Sequence, residues 1–395
     1  MEFLHFNDKE GATRMKKLDT ALLSDKITAR VQADLEAGNL SGASLQVRQC
    51  GETVFRCHFG TVAPGGDVPV TDGTLFRLAS MTKPITAVAV MTLFDRGLLD
   101  IFDPIAKYLP QFADRYLAEA DGDEIRLIRP VTVQPTILHL LTHTSGLFSS
   151  TLQAAYRKTR TPEDTRTLDN AIRWYAGQGL GFDPYTKTEY SGTAAFDLLA
   201  KIVEAVADMP YEDYLRETIF TPCAMTDTTF VPSDDQWARL IALHDLQDGK
   251  PVAHSMPAGH VFGAPVTHPL GGAGLISSLA DYSAFADMLL SEGTANGRRI
   301  LSKLAVRMLS TPHVPKSIMP GPVQWGLGMR VITGEAYPYG LAVGSFGWSG
   351  AYGTHFWVDP ENRITAVYMK NSMHDGGAGT HTAVNFERDV HDAWI

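Results

Sequence analysis

Ala79-Ser80-Met81-Thr82-Lys83-Pro84 holds the one Ser-x-x-Lys spacing in the chain, and the residues around it show how it is presented. Apolar residues at helical spacing run from Thr82 to Arg96 and stop at Gly97, a residue suited to a helix end. Pro84 is tolerated only in the first turn of that helix, where its missing N–H has no partner to lose. The helix therefore starts beside Ser80, which keeps a free backbone N–H at the positive end of the dipole. An oxyanion developing there would be stabilised. Residues three apart share a helix face, so the Lys83 amine falls within reach of the Ser80 hydroxyl. A seryl hydroxyl is a weak nucleophile until a neighbouring base takes its proton, and a lysine withdrawn from water can be that base. Alone, the motif reads equally well as a capping serine and a surface lysine.

Two further stretches point the same way. Glu189-Tyr190-Ser191-Gly192 immediately precedes a helical pattern from Thr193 to Val206, which Met209-Pro210 closes. Tyr190 thus sits in a loop at a helix N-terminus, where positive potential favours a phenolate. Phe346-Gly347-Trp348-Ser349-Gly350-Ala351-Tyr352-Gly353 places small residues at the start of a late strand pattern, a mark of close approach by backbone or ligand. An edge strand there would present the Ala351 N–H as a second oxyanion donor. Taken singly, one tyrosine among 13 and one glycine-rich turn have ordinary structural readings.

The organisation of the chain frames these stretches. Leu18 to Ala37 reads as a helix capped at Gly38, and Ala43 to Arg48 and Thr53 to His58 as a hairpin around Gln49-Cys50-Gly51-Glu52. Helical patterns dominate from Met81 to Pro232. Strand-like runs return at Trp325–Ile332, Ala351–Val358 and Ile364–Lys370, the last two joined by a turn at Asp359-Pro360-Glu361-Asn362. Helix followed by antiparallel strands, without βαβ crossovers, predicts an α/β layering. The expected division is an α/β sheet domain from residues 1–85 and 235–395 and a mainly helical domain at 86–234, with the site in the cleft between them.

Bulk properties exclude several functions. With 34 Lys+Arg against 44 Asp+Glu the formal charge is −10, which repels nucleic acid and anionic membrane surfaces alike. Met1 to Leu23 lacks the apolar stretch of roughly 7–15 residues a secretory signal needs, and no run approaches the roughly 18 apolar residues of a membrane span. A soluble, cytoplasmic protein is expected. Cys50, Cys57 and Cys223 are expected to be buried free thiols, the alternative being Cys50 facing Cys57 across the hairpin. No His or Cys spacing suits zinc, and no Gly-x-Ser-x-Gly elbow is present, so neither a metal nor a cofactor is expected. His244-Asp245, His374-Asp375 and His391-Asp392 read as surface pairs.

In this order, the three stretches resemble the motifs of the serine β-lactamase and penicillin-binding protein superfamily. The resemblance spans roughly residues 20 to 390 and is greatest to class C β-lactamases and family VIII carboxylesterases. Leu140 to Leu147, Gly271 to Ser278 and Gln324 to Gly328 are similar to that family as well. The resemblance implies a β-lactamase/transpeptidase-like fold, an antiparallel sheet flanked by helices with a mainly helical domain. It gives Ser80, Lys83 and Tyr190 the catalytic roles, the N–H groups of Ser80 and Ala351 the oxyanion hole, and Trp348-Ser349-Gly350 the substrate-binding motif. For His143 it implies a turn-stabilising role. The departures are informative too. Trp348 stands where β-lactamases and DD-peptidases carry a lysine for the substrate carboxylate, and an indole supplies no such charge. Gly192 replaces the asparagine of the Tyr-x-Asn element. Family VIII esterases are similar in carrying Trp at the third motif, so a small carboxylic ester is the expected substrate. The alternatives are a β-lactamase, a D-amino-acid amidase or peptidase, an acyltransferase with the same Ser-Lys-Tyr site, or a penicillin-binding-like sensor without turnover.

Overall fold

A computed structural model describes residues 15–256, 268–334 and 336–395. Most of the Met1–Leu23 segment read for a leader lies outside them. Seven antiparallel strands form the central sheet in the order Val323–Trp325, Arg330–Ile332, Phe346–Ser349, His355–Asp359, Ile364–Met369, Gly42–Gln49 and Glu52–Gly60. The chain thus lays its last strand against its first, closing a sheet from both ends of the sequence.

Period-two alternation assigns the faces of this sheet. Phe356, Val358 and Val367 point to one apolar cluster, together with Tyr282 and Phe285 of the helix Leu279–Leu290. Trp357, Ala366 and Tyr368 point to another, with Leu23, Ile27 and Val31 of the helix Thr20–Glu36 and Phe386 of the helix His381–His391. Helices cover both faces, the α/β architecture the sequence predicts. The first cluster continues into the helices Thr82–Asp95 and Ala194–Ala207, which pack on each other. Thr82 through Leu93 are all buried, as a helix apolar on every side requires. A two-stranded hairpin, Tyr116–Asp121 with Glu124–Pro130, interrupts the helical stretch.

Several expectations need correction. The Trp325–Ile332 run is two paired strands, because Gly326 and Gly328, the latter at φ +74°, turn the chain between Trp325 and Arg330. Ala351 lies in a turn, not on an edge strand. Phe346–Ser349 is an interior strand ending before Gly350, and the next begins only at His355. The hairpin turn at Cys50 and Gly51 has positive φ at both residues, the mirror-image geometry that suits a two-residue connection. Cys50 is exposed there and Cys57 lies opposite Leu45, so the two thiols do not face each other; of the three free cysteines Cys223 is the buried one. His244 is fully buried and Asp375 pairs with buried Lys370 at 2.7 Å, whereas His391 and Asp392 lie at the surface.

Candidate active site

Ser80 sits in a one-turn 3-10 helix, Ala79–Met81, that runs straight into the helix Thr82–Asp95. Ala79 adopts φ +46°, a left-handed conformation that costs a residue with a Cβ and recurs where the chain must present a reactive group. Lys83 follows one turn on and is fully buried. Its Nζ lies 3.2 Å from Ser80 Oγ, 2.6 Å from the Gly192 carbonyl and 2.7 Å from the Gly272 carbonyl. Two of its tetrahedral positions are thus committed to carbonyls and the third faces Ser80. As an ammonium the group donates to the hydroxyl; as a free amine it directs its lone pair there.

Tyr190 is 41 % exposed, open to solvent. Lys83 Nζ lies 5.0 Å from its ring centroid, over the face, while the hydroxyl accepts a 3.3 Å hydrogen bond from the Trp348 indole N–H. Among the described residues the Tyr190 hydroxyl bonds to neither Ser80 nor Lys83. The loop carrying it is pinned by His143. That residue's Nδ1 accepts from the Ser191 N–H at 3.1 Å and its carbonyl accepts from the Glu189 N–H at 2.9 Å. Accepting at Nδ1 leaves the proton on Nε2, and burial beside the Lys83 charge holds His143 well below its usual pKa, hence neutral. Its ring packs 4.6 Å from both Tyr190 and Trp325. Trp325 in turn lies 4.8 Å from Trp348.

The third motif reaches this centre by close backbone approach. A Cβ on Gly350 would lie 2.2 Å from the carbonyl of Leu78, two residues before Ser80, so only glycine fits. The Thr354 hydroxyl donates to that carbonyl at 2.9 Å. The Ser80 and Ala351 N–H groups have no acceptor among the described residues, and Ala351 is exposed. Ser349 is buried with its hydroxyl 2.7 Å from His355 Nδ1. His355 Nε2 lies 3.0 Å from Glu387, which also pairs with Arg330 and accepts from the Tyr337 hydroxyl at 2.6 Å. Ion pairing with Arg330 and bonds from His355 and Tyr337 overcome burial and pull Glu387 down to about 2. A separate cavity of about 460 Å3, lined in part by Gln46, Arg48, Asp287 and Asn296, contains no member of the three motifs. Among the described residues no cluster of His, Cys, Asp or Glu could hold a metal ion.

The β-lactamase family profile matches residues 27–387. The chain belongs to the β-lactamase family. It is 32 % identical over 360 residues to protein Rv1367c of Mycobacterium tuberculosis, covering 86 % of this chain and 88 % of that one. To esterase EstB of Burkholderia gladioli it is 30 % identical over 392 residues, covering 92 % and 94 %. Among solved structures, EstCE1, described as a hydrolase with promiscuous acyltransferase activity, superposes with a TM-score of 0.77 at 22 % identity over 95 % of this chain and 98 % of that one. The protein is accordingly a serine hydrolase of the β-lactamase family with the β-lactamase/transpeptidase fold. Gly272 and Trp325 lie in stretches already noted as similar to the family but were given no role there: Gly272 contributes a carbonyl to Lys83, and the Trp325 ring stacks against Tyr190. Asp197, a fully buried carboxyl on the helix after Tyr190, was not singled out at all.

Proposed function

We propose that this serine hydrolase cleaves small, uncharged carboxylic esters through an acyl-enzyme on Ser80. The Trp348–Tyr190 hydrogen bond carries the reading, because it fills the place of the family's anion-binding lysine with an indole that is itself committed to the tyrosine. The surroundings are aromatic: Tyr190 packs against Trp325, Trp348 and neutral His143, and Trp325 against both His143 and Trp348. Such a wall favours apolar acyl or alcohol groups and offers a carboxylate no charge-assisted bond. The esterase name of EstB, a relative across nearly the whole chain, supports the same substrate class.

In the proposed cycle Lys83, with Tyr190 beside it, takes the Ser80 proton as the oxygen attacks the ester carbonyl. The N–H groups of Ser80 and Ala351 hold the tetrahedral oxyanion, and the C–O bond to the alcohol breaks as the alkoxide takes that proton back. Water then attacks the acyl-enzyme with Tyr190 as base, releasing the acid and restoring Ser80. A panel of p-nitrophenyl esters of rising acyl length, run beside a chromogenic cephalosporin and a D-alanine anilide, tests the assignment. The reading expects kcat/KM to be highest for a neutral ester; preference for the cephalosporin or the anilide overturns it.

A further inference from the structure

The strand Gly42–Gln49 is covered on both faces, yet only one of them is apolar. Ala43, Leu45 and Val47 join the cluster under the helices Thr20–Glu36 and His381–His391, whereas Ser44, Gln46 and Arg48 alternate onto the face over which Leu279–Leu290 packs. Two of these three polar groups are satisfied within the protein. The Ser44 hydroxyl lies 2.8 Å from His58 Nδ1, and Arg48 pairs with Asp287, which also accepts from the Thr365 hydroxyl at 2.7 Å. Gln46 is the exception: it is 5 % exposed, and its amide has no hydrogen-bond partner among the described residues. On the facing helix Ser283 is buried too, and its hydroxyl has no partner among them either. A buried amide without partners is unfavourable, and an apolar side chain would be the stabler occupant of this strand position.

Gln46 lines the cavity of about 460 Å3 that contains no member of the three motifs, a volume within the roughly 300–1,000 Å3 of small-molecule sites. The charges around it are already paired. Arg48 is held by Asp287, and Arg56, directly across from Gln46 in the edge strand Glu52–Gly60, is held by Asp72. What the buried lining leaves free is the Gln46 carboxamide, with a donor and an acceptor side by side, and next to it an apolar wall from Ala280, Ala284, Met288 and Ala295. We propose that this cavity is a binding site for a small uncharged carboxamide, a peptide-like molecule with short apolar side chains, whose own C=O and N–H pair with the amide of Gln46. Two carboxamides meet edge to edge through two hydrogen bonds, which satisfies the buried group completely. A carboxylate finds its guanidiniums already neutralised and meets a donor and an acceptor where it needs two donors. A polyol leaves the apolar wall uncovered.

The test is calorimetric titration and saturation-transfer NMR with N-acetyl-alanyl-alanine amide, beside glycerol as a polyol and acetate as a carboxylate. The proteins are wild type, Gln46→Met, Ala284→Leu and Ser80→Ala. The capped dipeptide should bind wild type and Ser80→Ala alike, which places it outside the hydrolytic centre. Gln46→Met keeps the length of the side chain and removes both hydrogen-bonding groups, so affinity should fall by about tenfold or more, while the Tm of the unliganded variant should equal or exceed that of wild type. Ala284→Leu, which extends a side chain into the space from the helix wall, should lose binding as well. No binding to wild type, undiminished binding in folded Gln46→Met or in folded Ala284→Leu, or binding that disappears in Ser80→Ala overturns the proposal. So does a lowered Tm in unliganded Gln46→Met, since the amide would then be engaged within the protein. Glycerol or acetate bound as tightly as the dipeptide, and lost in Gln46→Met, overturns the ligand class.

Discussion

The Trp348 indole N–H and the Tyr190 hydroxyl meet at 3.3 Å, tying the third motif to the second. The same ring packs 5.4 Å from Tyr190, so Trp348 both shields and orients the phenol. Trp348→Phe keeps the packing and removes the donor. A neutral hydrogen bond contributes about 1 kcal/mol net, so kcat for a short ester is expected to fall about fivefold with KM little changed. Steady-state kinetics that show KM rising at constant kcat would assign Trp348 to substrate binding alone.

Restoring a cation at this position should restore recognition of anions. Trp348→Lys is expected to raise the ratio of kcat/KM for a cephalosporin to that for a neutral ester by about 10- to 150-fold, the worth of roughly 1.5–3 kcal/mol in a charge-assisted bond. Gly192→Asn should add to it, since a Cβ built on Gly192 meets nothing within 4 Å and an amide side chain has room. An unchanged ratio in the double variant would show that no carboxylate reaches this strand.

Beneath the same strand, Glu387 makes stability depend on acid. Its carboxyl is pulled down to about 2 in the folded protein, against an ordinary value of 4.5. The stabilisation is present above the ordinary value and is lost as pH falls toward 2, on the order of 3 kcal/mol in all. Glu387→Gln should be strongly destabilised at pH 7, because Arg330 is left buried without its partner, and its Tm should change less than that of wild type between pH 5 and 2.5. Parallel Tm curves for the two proteins across that interval would contradict this account.

Asp197 carries the opposite sign. Burial raises it from 3.8 to about 7, so its contribution is fully present below the lower value and is lost as pH rises through the higher one. On the order of 4 kcal/mol is at stake. Asp197→Asn, with no charge to bury, is expected to match wild type near pH 4 and to exceed its Tm at pH 8. Thermal melts at both values decide it; equal or lower stability at pH 8 would mean that the ionised carboxyl is fully compensated.

How far the sequence discloses this site depends on how local each relationship is. Ser80 and Lys83 were legible because Pro84 confines the start of the helix and a spacing of three fixes the shared face. The strands around them were legible where alternation runs unbroken, as in Ile364–Met369. Alternation misled at Trp325–Ile332 and at Ala351, where glycines turn the chain inside an apolar run; Gly328 and Gly353, both at positive φ, were the available signals. Trp325 donating to Thr188 and Lys83 reaching Gly192 and Gly272 are long-range meetings that no local pattern encodes. Ser349 shows the converse limit. The motif marks it as substrate-binding, but its hydroxyl is spent on His355, six residues on and reached only through the turn at 350–354.

Acylation of Ser80 is the claim on which the rest depends, and intact-mass spectrometry with peptide mapping reads it directly. Folded wild-type protein mixed briefly with p-nitrophenyl acetate and quenched in acid should carry one acetyl group, mapped to Ser80, that disappears as p-nitrophenol release continues over many turnovers. Ser80→Ala should show neither the adduct nor turnover, with its melting curve preserved. An adduct on another residue, or undiminished turnover in folded Ser80→Ala, would contradict the account.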